Sequence, residues 1–418
     1  MEAGNQINVT ISDLAFGGDG VARTDEGVIF VPGTAVGDQV MINVTSVHKS
    51  FARGEVVAVL TPGAGRCEPR CPLYGECAGC QYQHIDYATE FAAKQKQLID
   101  LLTRVGHLEN LPPLDKAFPS PAEYGYRNKI RLEAAIQDGG VEYGYYLKDN
   151  RTLKRIRTCP LASDEINAQI PKALRSDWGK ANSAKRPDKR HSRKPGDRRP
   201  AGGPGALTLR ADTRGTAAFY FGFAPKCITW LRETLNDFEY AVPAGAFWQI
   251  NPPVAQELVK TVADWFRPLQ LDSFIDAYAG VGTFSCAMKG MFVEHLLIES
   301  DPSAAPAAEN NTQRCGIGAQ ILTGTTEKCL PKALPRYSSD KTAVLLDPPR
   351  TGCQQVVIDT LRKNRPAAVA YVSCNPATLA RDLKLLTAGN IYKVEKLALF
   401  DMFPRTAHFE TAVLLTRS

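Results

Sequence analysis

Several things are missing from this 418-residue chain, and each absence narrows its role. No apolar run approaches the roughly 18 residues that a bilayer-spanning helix needs, so no membrane function is expected. The first residues, Met-Glu-Ala-Gly-Asn-Gln, hold no basic stretch followed by an apolar core. A secretory leader is therefore not expected, and the reading is a cytoplasmic protein. No internal repeat is found. The 11 cysteines are odd in number and unevenly spaced. That argues against a disulfide framework and for metal binding or catalysis.

What is present is ordinary in bulk: 44% hydrophobic and 22% charged residues, enough chain for two or three domains. The net charge is +6, and it is concentrated. Between Lys185 and Arg199, eight Lys/Arg face only Asp188 and Asp197, so this segment alone carries the whole excess. Residues 179–206 are rich in Lys, Arg, Pro and Gly and nearly lack large apolar side chains. Such a stretch cannot bury a core and is expected to be a disordered insertion. It either attracts RNA phosphates without specificity or is a solvated insertion without function. Removing 181–205 is expected to leave folding intact.

Residues 6–14, 28–31, 39–47 and 51–60 read as short strands separated by turn signals such as Gly17-Gly18-Asp19-Gly20. Short strands punctuated this way suggest a small β-barrel. Phe16-Gly-Gly-Asp-Gly-Val-Ala with Val28-Ile-Phe-Val-Pro-Gly resembles the TRAM domain, an OB-like RNA-binding barrel. Cys67, Cys71, Cys77 and Cys80 then fall within 14 residues. Clustered thiolates are soft ligands suited to zinc or iron–sulfur. All four could ligate zinc locally. Alternatively, Cys71, Cys77 and Cys80 have the C-x5-C-x2-C spacing of a four-iron site completed by a distant cysteine, for which Cys159 is the candidate. The C-x3-C-x2-C spacing of radical enzymes is absent. His84 reads as structural or RNA-facing rather than as a ligand.

Residues 88–107 have a helical apolar face, with Phe91, Leu98, Leu101, Leu102 and Val105. Pro112, Pro113 and Pro119 interrupt the chain before a mostly β region that starts at Tyr124-Gly-Tyr-Arg-Asn-Lys-Ile-Arg-Leu132. Basic residues interleaved with aromatics suit RNA, through phosphate contact and base stacking. An ordinary sheet with a solvated face reads the same way. From about residue 245, strand and helix signals alternate, with strands expected at 273–278, 293–299, 320–323, 342–346, 367–372, 392–400 and 410–415. That is an α/β sheet with helices on its faces.

The chemistry gathers at the strand ends of this half. Ser273-Phe-Ile-Asp-Ala-Tyr-Ala-Gly280-Val-Gly282-Thr283 places a glycine turn after a strand. A second strand ends in Glu299, suited to gripping ribose hydroxyls. The third glycine of a dinucleotide fingerprint is missing, which disfavours NAD. Asp347-Pro-Pro-Arg350 forms a rigid loop after another strand. It lacks the Asn-Pro-Pro-Tyr pattern that holds an amino group for N-methylation. Finally, an apolar run ends in Ser373-Cys374-Asn375-Pro376, putting one thiol at a strand end with a helix expected from Ala377. The start of that helix is expected to favour a thiolate.

Taken together, Asp276-Ala-Tyr-Ala-Gly-Val-Gly, Leu346-Asp-Pro-Pro-Arg, Ser373-Cys-Asn-Pro-Ala-Thr-Leu-Ala-Arg-Asp and His408-Phe-Glu-Thr-Ala-Val-Leu-Leu resemble the RNA (uracil-5-)-methyltransferase family. So do Phe247-Trp-Gln-Ile-Asn251 and Tyr126-Arg-Asn-Lys129. The TRAM-like barrel with the cysteine cluster is most similar to the 23S ribosomal RNA branch, although some relatives with both features act on tRNA. The resemblance implies a Rossmann-like S-adenosylmethionine-dependent methyltransferase domain, an α/β fold, at 245–418. Before it would come an OB-like TRAM barrel at 1–62 and a central, mostly β iron–sulfur domain at 63–244, with the early helix free to pack on the catalytic domain. It implies Cys374 as nucleophile and Glu410 as base. Gln249, Tyr278, Thr283, Glu299 and Asp347 match the S-adenosyl-L-methionine positions, and Asp347 could also place the pyrimidine. The family's acidic or Asn position after the fourth strand falls at Thr325, which is left out of the set. Cys71, Cys77, Cys80 and Cys159 match the ligands of a [4Fe-4S] cluster, with Cys67 outside the pattern. The implied partner is RNA, bound by a monomer.

Overall fold

The computed structural model describes residues 1–137, 140–176, 205–222 and 230–418. Nearly all of the basic segment at 179–206 therefore lies outside the described residues. No helix among those described is long and apolar enough to cross a membrane.

The N-terminal strands close into a five-stranded barrel. Its order is Gln6–Leu14, Gly20–Thr24, Gly27–Val31, Phe51–Thr61 and Gln39–Val47. Closure comes from the parallel pairing of Val28–Phe30 with Phe51–Arg53. Alternating inward residues, among them Val9, Ile11, Ile29, Val31, Val40, Ile42 and Val44, fill the interior. The strand Gly20–Thr24 is additional to those expected. It opens on a glycine because a Cβ there would lie 1.9 Å from the Thr34 hydroxyl, and that glycine hides it among the turn signals.

A second sheet runs in the order Ala217–Phe221, Leu207–Ala211, Lys129–Gln137, Gly140–Tyr146 and Leu153–Arg155. The helix Asp164–Arg175 covers it, burying Ile166 and Ile170 against Ile130, Leu132, Leu207 and Leu209. The hairpin Trp230–Leu235 and Phe238–Pro243 turns on Asn236 and Asp237, both at positive φ (49° and 62°). Two positive-φ residues suit a two-residue hairpin turn. Leu235, Tyr240 and Val242 of this hairpin enter the same core as Trp248, Leu258 and Phe274.

The large sheet has eight strands in the order Ala319–Thr323, Glu294–Glu299, Ser273–Asp276, Thr342–Leu346, Ala368–Ser373, Glu410–Arg417, Tyr392–Phe400 and Leu114–Phe118. The first five are parallel. Glu410–Arg417 runs antiparallel to both its neighbours. Helices cover the faces, and the central strands are apolar throughout, as expected for a sheet buried on both sides. Two elements from the first third of the chain complete this unit. Leu114–Phe118 adds the outermost strand beside Tyr392–Phe400. The helix Tyr87–Arg104, capped by Asp86 accepting from the Thr89 amide at 2.8 Å, buries Leu98 and Leu102 with Leu379 and Leu383.

Candidate active site

The order of the sheet reverses between Ser273–Asp276 and Thr342–Leu346, and ligands bind at the carboxyl ends of strands beside such a switch point. Here those ends bring the motifs together. Asp276 and Glu299 end their strands, Asp347 follows Leu346, and Cys374 follows Ser373. Glu410 begins a strand running the opposite way, and Thr411 pairs with Ser373, so the carboxyl reaches the same rim. Cys374, Glu410, Gln249, Tyr278, Glu299 and Asp347 all line one cavity of about 570 Å³. That size suits a small-molecule ligand together with a base.

Thr283 is not among the lining residues. It is the first residue of the helix Thr283–Ala287, and its carbonyl accepts from the Tyr240 hydroxyl at 3.2 Å. Thr325, left out of the expected set, does line the cavity.

The donor side of the cavity is built around Glu299. The amide of Gly280, at positive φ (55°), donates to one carboxylate oxygen at 2.7 Å, and the Asp301 amide donates to the other at 2.6 Å. The Ser300 hydroxyl also donates to the second oxygen at 3.4 Å, so the oxygen bonded to Gly280 keeps a lone pair for a ligand hydroxyl. Beneath the glycine turn Asp276 is fully buried. It accepts from Ser285 at 2.9 Å, and its other oxygen has no side-chain or backbone partner. Burial pushes its pKa up to about 7. Gln249 is held from behind: its carbonyl accepts from the Asn128 side chain at 3.0 Å, while the Asn128 amide reaches the carbonyl of Ile250 at 3.1 Å. The Tyr126-Arg-Asn-Lys motif of the central sheet thus braces the Phe-Trp-Gln-Ile-Asn motif.

The reacting side is crowded with acids. Burial, with Glu410 and Asp347 adding to it and the nearby Arg350 guanidinium opposing, raises the Cys374 thiol to about 12. The expectation that the helix start would favour a thiolate is not met. The helix begins at Pro376, which has no N–H, and the Asn375 side chain already accepts from Ala377 at 3.2 Å. Burial likewise lifts Glu410 well above the carboxylate range, helped by Asp347 and opposed by Arg350. One oxygen of Glu410 is buried without a hydrogen-bond partner. Asp347 rises to about 7 through burial and the nearby Asp276. Arg350 is placed by its neighbours, since its carbonyl accepts from Asn375 at 3.0 Å and Thr378 at 3.2 Å. Sequence reasoning missed Arg350 as a site residue although it ends the Asp-Pro-Pro-Arg motif. It also passed over Phe403, and over Phe247, which lines the mouth while 64% exposed.

Cys71, Cys77, Cys80 and Cys159 line a second, smaller cavity of about 90 Å³ with Arg127 and Tyr145. Asn167 fixes Cys159 by bonding both its amide, at 2.9 Å, and its carbonyl, at 3.1 Å. Burial raises the Cys80 thiol to about 12 and raises Cys77 as well. Among the described residues, no group of three or more His, Cys, Asp or Glu side chains is arranged to hold a metal ion. Cys67 stands apart, exposed. His84 is buried, with one ring nitrogen 2.9 Å from the Thr34 carbonyl and the other bonded to the Tyr74 hydroxyl. Its role is structural.

A Rossmann-like sheet with a glycine turn, an acidic second strand end and a shared cavity defines an S-adenosylmethionine-dependent methyltransferase, here carrying an N-terminal TRAM barrel. The family described as tRNA (Uracil-5-)-methyltransferase matches residues 229–418, and the TRAM domain matches residues 2–57. An uncharacterized RNA methyltransferase of Thermosynechococcus vestitus is 33% identical over 100% of this chain and 99% of its own length. The tRNA (uracil(54)-C(5))-methyltransferase of Schizosaccharomyces pombe is 28% identical, covering 99% of this chain and 78% of that protein. The solved structure of the Pyrococcus abyssi tRNA (uracil-54, C5)-methyltransferase with S-adenosyl-L-homocysteine shares the fold. Its TM-score is 0.68 at 22% identity, with 98% of this chain and 100% of that chain covered. The chain belongs to the RNA (uracil-5-)-methyltransferase family.

Proposed function

We propose that this enzyme methylates C5 of one uridine in 23S ribosomal RNA, with Cys374 as nucleophile and Glu410 as base. The observation carrying this reading is that both side chains share a single cavity with Gln249, Tyr278 and Glu299. Uracil C5 is too weak a nucleophile to take a methyl group unaided. A Cys374 Sγ–C6 bond turns C5 into an enolate-type carbon, and covalent catalysis thereby splits one hard step into easier ones. S-adenosylmethionine would be held by Glu299, Gln249 and Tyr278 and would supply the methyl group to C5, its sulfur keeping the S–CH3 electron pair as S-adenosylhomocysteine leaves. Glu410 then takes the C5 proton, the C5–H electron pair re-forms the C5–C6 double bond, and Sγ leaves as thiolate. Burial, which raises the Glu410 carboxyl above the ordinary carboxylate range, makes it a stronger base for that proton transfer. The target base must leave its stack to reach this cavity.

The pairing of barrel and cysteine site supports the ribosomal target. A tRNA uridine is the second reading, favoured by the printed activities of the Schizosaccharomyces and Pyrococcus relatives. Sequencing RNA for 5-methyluridine in wild-type and deletion strains separates the two. Loss at a tRNA position would overturn the ribosomal assignment. RNA would be engaged in part by the barrel, where Phe51 stacks on exposed His48 with centroids 4.5 Å apart and Arg53 lies 5.9 Å over the Phe51 ring.

Cys71, Cys77, Cys80 and Cys159 would hold a [4Fe-4S] cluster. Thiols spread around a cavity suit a group with several metal atoms better than one tetrahedral ion held at about 2.3 Å. Because burial disfavours the charged forms of Cys77 and Cys80, bound metal would supply the compensating charge. The methyl transfer needs no electron, so the group would act structurally. An anaerobic visible spectrum with iron and zinc analysis decides, and stoichiometric zinc without absorbance near 400 nm would refute the cluster. A cytoplasmic monomer is proposed with the same reading.

A further inference from the structure

The loop that leads into Glu410 is held almost entirely by residues from the first third of the chain. The amides of Gln81 and Tyr82 donate to the Arg405 carbonyl at 3.0 and 3.2 Å. The Arg405 amide donates to Glu90 at 2.7 Å, and its guanidinium to the Ile85 carbonyl at 2.7 Å. Lys94, buried, bridges Glu90 at 2.6 Å and Asp401 at 2.8 Å. Arg405 sits at φ 67° without being glycine. That conformation costs roughly 1–3 kcal/mol and persists only where surrounding contacts over-determine it.

One side chain in this set touches both sites. The Gln81 amide nitrogen donates to the carbonyl of Ala78 at 3.0 Å, between Cys77 and Cys80. Its oxygen accepts from the amide of Ala407 at 3.0 Å, three residues before Glu410. The loop between Arg405 and Asp401 also carries Phe403, which lines the reaction cavity.

We propose that Gln81 is a positioning residue that ties the cysteine hairpin to the loop presenting Phe403 and Glu410, so that the two sites share one support. This rests on the uridine C5 reading above. Gln81 touches neither substrate nor donor. It acts on the step that needs Glu410, removal of the C5 proton, and not on the Cys374 attack, because Cys374 is carried by a different strand and helix.

The test uses the full-length, metal-loaded enzyme, a transcript bearing the mapped target uridine, and the same transcript with 5-fluorouridine. Fluorine replaces the hydrogen that must leave as a proton, so that RNA reports Sγ–C6 bond formation and methylation alone. Gln81→Ala is the variant, since Arg405→Ala would leave Glu90 short of a buried cation. Turnover on uridine RNA should fall about fivefold, the effect of one lost hydrogen bond. The fraction of enzyme trapped as the methylated Cys374–RNA adduct should rise, while the adduct with fluorinated RNA forms at the wild-type rate. Gln81→Glu keeps the acceptor for Ala407 but loses the donor to Ala78, so it should recover only part of the turnover. Amides 403–410 should exchange faster in Gln81→Ala. Unchanged turnover, or fluorinated adduct formation that slows in step with turnover, overturns the proposal. If wild-type enzyme forms no adduct with either RNA, the methylation reading fails instead. In that case unchanged exchange at 403–410 in Gln81→Ala overturns the tie on its own.

Discussion

Arg350→Ala tests how the Cys374 thiol is made reactive. The buried thiol stands near 12, with Glu410 and Asp347 adding to the effect of burial and Arg350 opposing it. A hydrogen bond to a charged group contributes about 1.5–3 kcal/mol. Arg350 is exposed, so solvent screening reduces this to about 1 kcal/mol. That corresponds to about 0.7 of a pKa unit, and to about a fivefold smaller thiolate population at any pH below the pKa. The assay is the iodoacetamide alkylation rate of Cys374 between about pH 7 and 10, read by peptide mass spectrometry because the chain holds 11 cysteines. A thiol with a raised pKa is mostly protonated throughout this window. The wild-type rate should therefore climb about tenfold per pH unit, with no plateau near the ordinary thiol value of about 8.5. Arg350→Ala should follow a parallel line about fivefold lower. A wild-type plateau near 8.5 would refute the burial effect, and superimposable lines would refute the part given to Arg350.

Three further outcomes are expected. Glu410→Gln should cut turnover at least about a hundredfold, the usual scale of a lost general base, and gel mobility should show methylated RNA accumulating covalently on Cys374. Lys94→Ala leaves the buried carboxylates of Glu90 and Asp401 without their shared cation and should cost about 3–5 kcal/mol in urea unfolding; a loss below about 1 kcal/mol would refute a stabilising role for these ion pairs. Phe51→Ala should weaken RNA binding by about 1–3 kcal/mol with the salt dependence unchanged, whereas Arg53→Ala should flatten the salt slope. Filter binding at several salt concentrations distinguishes them.

Much of the active site was legible because strand ends and tight turns leave local marks. Gly280, Glu299, Asp347 and Cys374 each follow a short apolar run, and parallel strands carry such ends to one rim. What was not legible depends on distant partners. Arg350 ends a motif in plain view, yet its place beside Cys374 exists only once two crossover connections bring their loops side by side. The bridge made by Gln81 spans 326 positions and has no periodic signature. Leu114–Phe118 lies between prolines that read as a chain break, and four of its residues are only half-buried while Asp115 is exposed. Thr283, a motif position, is not among the residues lining the cavity, and its carbonyl accepts from Tyr240. The thiolate expected from the helix start failed for a related reason. A sequence shows that a helix follows Cys374, but not that Glu410 and Asp347 stand beside it.

The edge strand Leu114–Phe118 has a consequence for how the molecule is made. Residues 245–418 cannot finish their own sheet, because its last strand is synthesized about 280 positions earlier than its partner Tyr392–Phe400. During translation that early strand has nothing to pair with until nearly the whole chain has emerged, and contacts of such long span form slowly. A fragment starting near Trp230 would expose the backbone of Tyr392–Phe400 as an open edge, a template for pairing with other copies. The family-matching C-terminal half should therefore aggregate when expressed alone and become soluble when residues 81–122 are supplied in trans.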